Sequence, residues 1–328
     1  MAPAVVERFA QTVRFMSRVF DVIARQAAVP ATEVTVVLTD DFIADVKRYS
    51  TSDVNQTYSD QRVGGIAMAK NLPQAVNYSS VTIVFSASLW RDAAADDQIP
   101  QITAVAHEFA HPLLIRARYE SRAKNTIKVS AQTAAEQFRA SARAAWDEYR
   151  ADLLAYNLLT TVASKTVDGA TSAIEVADII SPNYLPELAN VLDSLHPAWP
   201  LIIEDFRNWR LDVTALWDEV LPRVDQAFTW FAHVQATAVG AGIDRIWESP
   251  ELRALPATRL YVRDHWIPFA DVIRQFEVLP PVSKLADIET TVMDAGERAF
   301  RGILAELGMK VYDRSDGTYY VDVQAPNY

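Results

Sequence analysis

Phe9, Val13, Met16, Phe20 and Ile23 recur at steps of three and four near the start of the chain, the spacing that lays one apolar stripe along a helix and packs it inward. The period then shortens. Glu33–Thr39 (EVTVVLT) reads as a strand, and DDFIADVKRYS after it as a helix whose leading aspartates suit the positive end of the helix dipole. Arg62–Ala69 (RVGGIAMA), bent at Gly64-Gly65, and Ser79–Ala87 (SSVTIVFSA) read as further strands. From Pro100 to about Leu307 the helical spacing returns and persists, interrupted by proline clusters at SPNYLPEL, HPAWP, ESPELRALP and VLPP. Gly308 is placed to stop the last helix, and MKVYDRSDGTYYVDV reads as a hairpin turning at Asp316-Gly317. The expected class is α+β and mostly helical, with a small N-terminal sheet and a large helical C-terminal half. The turn-forming stretch Ser164–Ser172 sets the expected boundary between a domain of residues 1–165 and a helical domain of residues 166–328 that ends in the hairpin.

Composition narrows the function. Half of the 328 residues are hydrophobic, enough for a sizeable core. Forty-two acidic against thirty-one basic residues give a net charge of −11, a field that disfavours nucleic acid as a ligand. The absence of cysteine excludes disulfides and thiolate ligands, so any transition metal must be held by imidazole and carboxylate. No apolar run approaches the roughly 18 residues of a membrane span. Glu7 and Asp21 interrupt the N-terminal stretch where a secretory signal would need an apolar core, and a cytoplasmic location is expected. Six of the eight tryptophans lie between Trp199 and Trp266, within the helical pattern, where core filling accounts for them.

The candidate chemistry lies in TAVAHEFAHPLL, Thr103–Leu114. On a helix, His107 and His111 project side by side from a face otherwise made by Ala104, Leu114 and Ile115, the geometry by which two imidazoles bind one zinc ion. Glu108 lies about 100° around the helix from His107, beside such a metal, where a general base is needed. Two imidazoles are too few, because a catalytic zinc has three protein ligands and one open position. ARAAWDEYRADLLAYNLL, Ala142–Leu159, offers more: Glu148 and Asp152 share a stripe with Ala145, Ala155 and Leu159, so two acids face the core. Carboxylates there require a cation or a donor. A metal with its histidines satisfies that requirement; a buried salt bridge to a neighbouring arginine is the competing account. Pro112 follows the second histidine directly, so the helix should kink or end there.

HEFAH followed by EYRAD resembles the gluzincin group of zinc metallopeptidases, in which one helix carries two histidine ligands and a later helix a glutamate with an aspartate four residues on. The resemblance covers roughly residues 62–159. It implies a zincin-like fold, zinc ligands His107, His111 and Glu148, Glu108 as general base, and Asp152 as the acceptor that orients a ligand histidine. With SSVTIVFSASLW, the chain is most similar to the ImmA/IrrE-like metalloprotease family. The function expected is zinc-dependent hydrolysis of peptide bonds in a protein or peptide substrate, with no nucleic acid or membrane involved and the helical domain completing the cleft. Two rivals stand beside it: a non-catalytic zinc-binding or sensing protein with a helical partner-binding surface, and a metal-free helical interaction protein. His196, His233, His265, Tyr149 and Tyr156 are the available groups for stabilising an oxyanion, none singled out by spacing. SVTIVFSA is either an interior strand or a sheet edge that receives an extended peptide.

Overall fold

The computed structural model describes residues 2–51, 61–62, 65–66, 68–91, 99–121, 133–166, 184–243 and 246–324. Gly64 and residues 167–172 of the expected boundary lie outside them, as does the side chain of His196. The fold is α+β and mostly helical, with a three-stranded sheet and a two-stranded hairpin. None of its helices is long and apolar enough to cross a membrane, among the described residues. Two compact units are present, and the chain passes between them more than once.

The first unit comprises Met1–Asn125, Arg150–Ser181 and Val278–Ala286. Its elements begin with α1 (Pro3–Gln26), β1 (Glu33–Thr39) and α2 (Phe42–Tyr49). The short pair β2 (Gln61–Arg62) and β3 (Gly65–Ile66) precedes β4 (Ala69–Pro73), β5 (Ser80–Ser86), α3 (Ser88–Arg91) and α4 (Ile99–Ser121). In α1, Phe9, Met16 and Phe20 of the apolar stripe are buried, while Val13 and Ile23 are partly so. Asp41 caps α2, its side chain accepting from the Ala44 N–H at 3.2 Å.

Sheet order is β1-β5-β4, with β5 parallel to β1 and antiparallel to β4. β5 is therefore the central strand, not an edge. Its unbroken apolar run has a physical reason, because both of its faces are covered. Val84 packs with Leu72, Phe42 and Val46 beneath α2. Phe85 turns the other way, its ring 5.6 Å from Phe9 of α1. The same α1 reaches α4 through Phe20 and Phe109, 5.9 Å apart. β4 is the edge among the described residues, and AKNLP carries little strand signal of its own because it lacks β-branched residues and ends in proline.

The second unit comprises Thr126–Tyr149, Pro182–Glu277 and Asp287–Tyr328. It contains the first part of α5 (Ala134–Thr166), then α6 (Tyr184–Arg207), α7 (Val213–Gly240), α8 (Pro250–Arg253), a π-helical stretch (Thr258–Trp266) and α9 (Ile267–Ile273). Most of α10 (Val282–Glu306) and the hairpin β6–β7 (Met309–Asp313, Tyr319–Val323) complete it. Phe228 of α7 centres an aromatic core, its ring 4.0 Å from Phe300 and 5.3 Å from Trp266. α5 and α10 meet closely at Gly296, where an added Cβ would stand 2.1 Å from that of Ala142. Arg143 pairs there with the fully buried Glu289 at 2.7 Å. Trp199, Trp217, Trp247 and Trp266 are buried as core filling requires, whereas Trp209 is 95% exposed.

Asp225 of α7 is half-buried with its Oδ1 sequestered and unpartnered, and this burial pushes its pKa up to about 6 against a weaker lowering by the Ser141 hydroxyl. The folded chain holds this proton to about pH 6, the unfolded chain releases it near 3.8, and stability therefore falls as pH rises through that window. Asp225→Asn is expected to raise the melting temperature at pH 7, by the equivalent of about 1–3 kcal/mol, with the gain vanishing near pH 4. Thermal melts at the two pH values check this, and an equal gain at both would exclude the buried charge as the cause.

Candidate metal centre

α4 and α5 carry the candidate residues. α4 runs unbroken from Ile99 to Ser121, so the helix does not end at Pro112. His107 and His111, one turn apart, meet edge to face with ring centroids 4.7 Å apart and an 84° interplanar angle. Their Nε2 atoms are 3.0 Å apart. α5 brings Glu148 to them, and one ligand atom from each of the three residues lies within 4.8 Å of the others. All three are half-buried, and together they can hold a metal ion.

Asp152, one turn beyond Glu148, accepts from His107 Nδ1 at 2.6 Å. An ionised carboxylate only accepts, so it fixes the imidazole proton on Nδ1 and leaves the lone pair of His107 on Nε2, directed at Nε2 of His111. Two imidazole nitrogens and a carboxylate converging in this way suit a divalent cation. The 3.0 Å between the nitrogens approaches the edge of about 3.3 Å that a tetrahedral site with metal–nitrogen bonds of about 2.0–2.1 Å requires. The donors therefore fit a metal. On this stripe the Asp152 carboxylate pairs with the ring of His107.

Glu108 is held by a residue with no sequence signal. Proline at 112 lacks the N–H that would bond the Glu108 carbonyl within the helix. Asn71 of β4 supplies the missing donor: its Nδ2 donates to that carbonyl at 3.1 Å and also to Glu108 Oε2. Backbone and side chain of Glu108 are thus clamped from the sheet edge. The signal was obscured because Asn71 and Glu108 are 37 residues apart and joined only through strand pairing.

Tyr149 is buried, and burial pushes its hydroxyl up to about 12, partly offset by Arg274. Tyr156 is buried on α5. His233 lies in the second unit against Trp230, with centroids 5.9 Å apart. His265, also in that unit, packs tightly on Gly302, where an added Cβ would meet its ring at 2.2 Å.

Asp152→Ala is expected to lower metal affinity by about 10- to 100-fold, because His107 loses the partner that fixes its tautomer and orientation. Competition against a chromophoric chelator measures this, and an unchanged affinity would remove Asp152 from the centre.

No known protein family, no curated protein and no solved structure matches this chain.

Proposed function

We propose that the chain is a zincin-like zinc metallopeptidase, with His107, His111 and Glu148 as ligands and Glu108 as general base. The observation that carries this reading is the set of three donors beside a separately clamped carboxylate. A purely structural metal site needs the donors but has no use for an oriented glutamate outside the ligand set.

A zinc ion held by His107, His111 and Glu148 would supply Lewis acidity, to polarise a carbonyl and lower the pKa of water. Glu108 takes the proton of the attacking water. Asn71 engages Oε2, so Oε1 is the oxygen available to receive it. As the C–N bond breaks, the same carboxylate delivers that proton to the departing amine, so no covalent enzyme intermediate is needed. Asp152 keeps His107 in the tautomer that presents Nε2.

The substrate is an extended peptide segment. The Ser86 N–H bonds Met68, and the Gln74 N–H bonds Ser80, which fixes the alternation along β4. That register turns the main-chain groups of Ala69 and Asn71 away from β5, toward the outer edge. A peptide added as a further strand would pair with them and run past Glu108, to which Asn71 is bonded.

The test is to incubate the purified protein with peptide libraries and an unfolded protein at neutral pH, with and without chelator. Cleavage that stops on chelation and returns with zinc is expected. A fully zinc-loaded protein that cuts none of these substrates would overturn the reading.

A further inference from the structure

We propose that the second unit carries a binding pocket for a small phosphate monoester, formed where α8 meets the π-helical stretch. The cavity measures about 430 Å³ and is lined by Trp247, Glu248, Arg253, Thr258, Arg259, Arg263 and Ile267. This volume falls in the range of small-molecule sites, roughly 300–1,000 Å³, and exceeds what an inorganic ion needs.

The lining is cationic in a protein of net charge −11. Three guanidinium groups face one carboxylate, that of Glu248. Arg253 and Arg259 have no carboxylate partner among the described residues. Among the described residues Arg263 bonds only its neighbour Asp264, at 2.9 and 3.2 Å, and both of those side chains are exposed, so solvent screens the pair and leaves it easily exchanged. Arg259 and Arg263 stand four residues apart, near one helical turn, so their forks reach the same space. Planar guanidinium groups bond phosphate oxygens two at a time, which lysines cannot do.

A second observation points to a ligand. Thr258 is 6% exposed, lines the cavity, and its Oγ1 is buried without a hydrogen-bond partner. A helical threonine ordinarily returns its hydroxyl to a carbonyl of the preceding turn, and a buried hydroxyl left unpaired is destabilising. A phosphate oxygen held by the arginines would satisfy it.

The backbone is also unusual. Nine consecutive π-helical residues, Thr258–Trp266, are long for a conformation that mostly occurs as a single-turn bulge and that concentrates at functional sites. Trp247 adds a rigid apolar wall. Its indole N–H donates to Gln235 at 2.9 Å, and its ring packs on Phe231 and Trp266 with centroids 5.6 and 6.2 Å away. An arginine cluster beside a fixed aromatic suits a phosphate attached to a flat or apolar group. The overall negative charge rejects polyanions but admits one such small anion against a locally positive wall.

The inference is independent of the peptidase reading, and its test requires no catalysis. Isothermal titration of the full-length protein would compare adenosine monophosphate, inorganic phosphate, adenosine and vesicles containing phosphatidic acid. Saturable one-site binding of the monophosphate is expected, with weaker binding of phosphate and none of adenosine. Arg253→Ala and Arg259→Ala should each weaken the monophosphate by about tenfold or more, with unchanged melting temperature. Thr258→Val should weaken it while retaining shape. The proposal is overturned if neither phosphate nor the monophosphate binds, if binding survives both arginine substitutions, or if only vesicles are bound.

Discussion

Glu108→Gln is expected to retain its metal and its fold while losing peptide hydrolysis by about 10²–10⁴-fold, toward the upper end. The substitution keeps the shape of the side chain, and its amide oxygen can still accept from Asn71 Nδ2. What it removes is the capacity to take a proton from water and to return it to the departing amine. One residue serves both steps, so both barriers rise. Glu108 is not among the three converging ligands, so elemental analysis should give the same metal content as wild type. Cleavage followed by mass spectrometry, with metal content measured on the same samples, separates the possibilities. Cleavage that persists in the variant points to a contaminating protease or to a different base.

His107→Ala and His111→Ala should each empty the site, because either leaves one imidazole and one carboxylate where three donors are needed. His107→Ala also removes the imidazole partner of the Asp152 carboxylate, whose side chain is 10% exposed, at a cost of about 1–3 kcal/mol. In chelator this variant should therefore unfold at a lower temperature than wild type. Full metal occupancy after both substitutions would refute the ligand assignment.

Local pattern carried much of this fold. β1 coincides with its apolar run, α4 and α5 follow their stripes, and Gly308 and Gly317 adopt the positive φ expected of a helix stop and a hairpin turn. The two acids facing inward on α5 were legible because a carboxylate stripe among alanines has few physical explanations. What was not legible depends on pairing between distant segments. Nothing in the sequence distinguishes β5 as a central strand from β5 as an edge until β4 is placed beside it. Asn71 is an ordinary polar residue in an ordinary-looking pentapeptide until strand register sets it opposite the carbonyl that Pro112 leaves open. The arginines of the second unit were hidden differently, since a charged surface helix and a cationic pocket have the same composition.

The bond from Asn71 to the Glu108 carbonyl has a genetic consequence. Because proline creates the vacancy that asparagine fills, positions 71 and 112 are epistatic. Alanine at 112 restores a main-chain N–H to that carbonyl and makes half of the Asn71 contribution redundant. Loss of Asn71 should therefore be tolerated better in a Pro112→Ala background than alone, a positive coupling confined to stability. The other half, the bond to Oε2, has no such substitute. Diverging descendants of this chain are free to abandon the proline but, while Glu108 works as a base, not the asparagine.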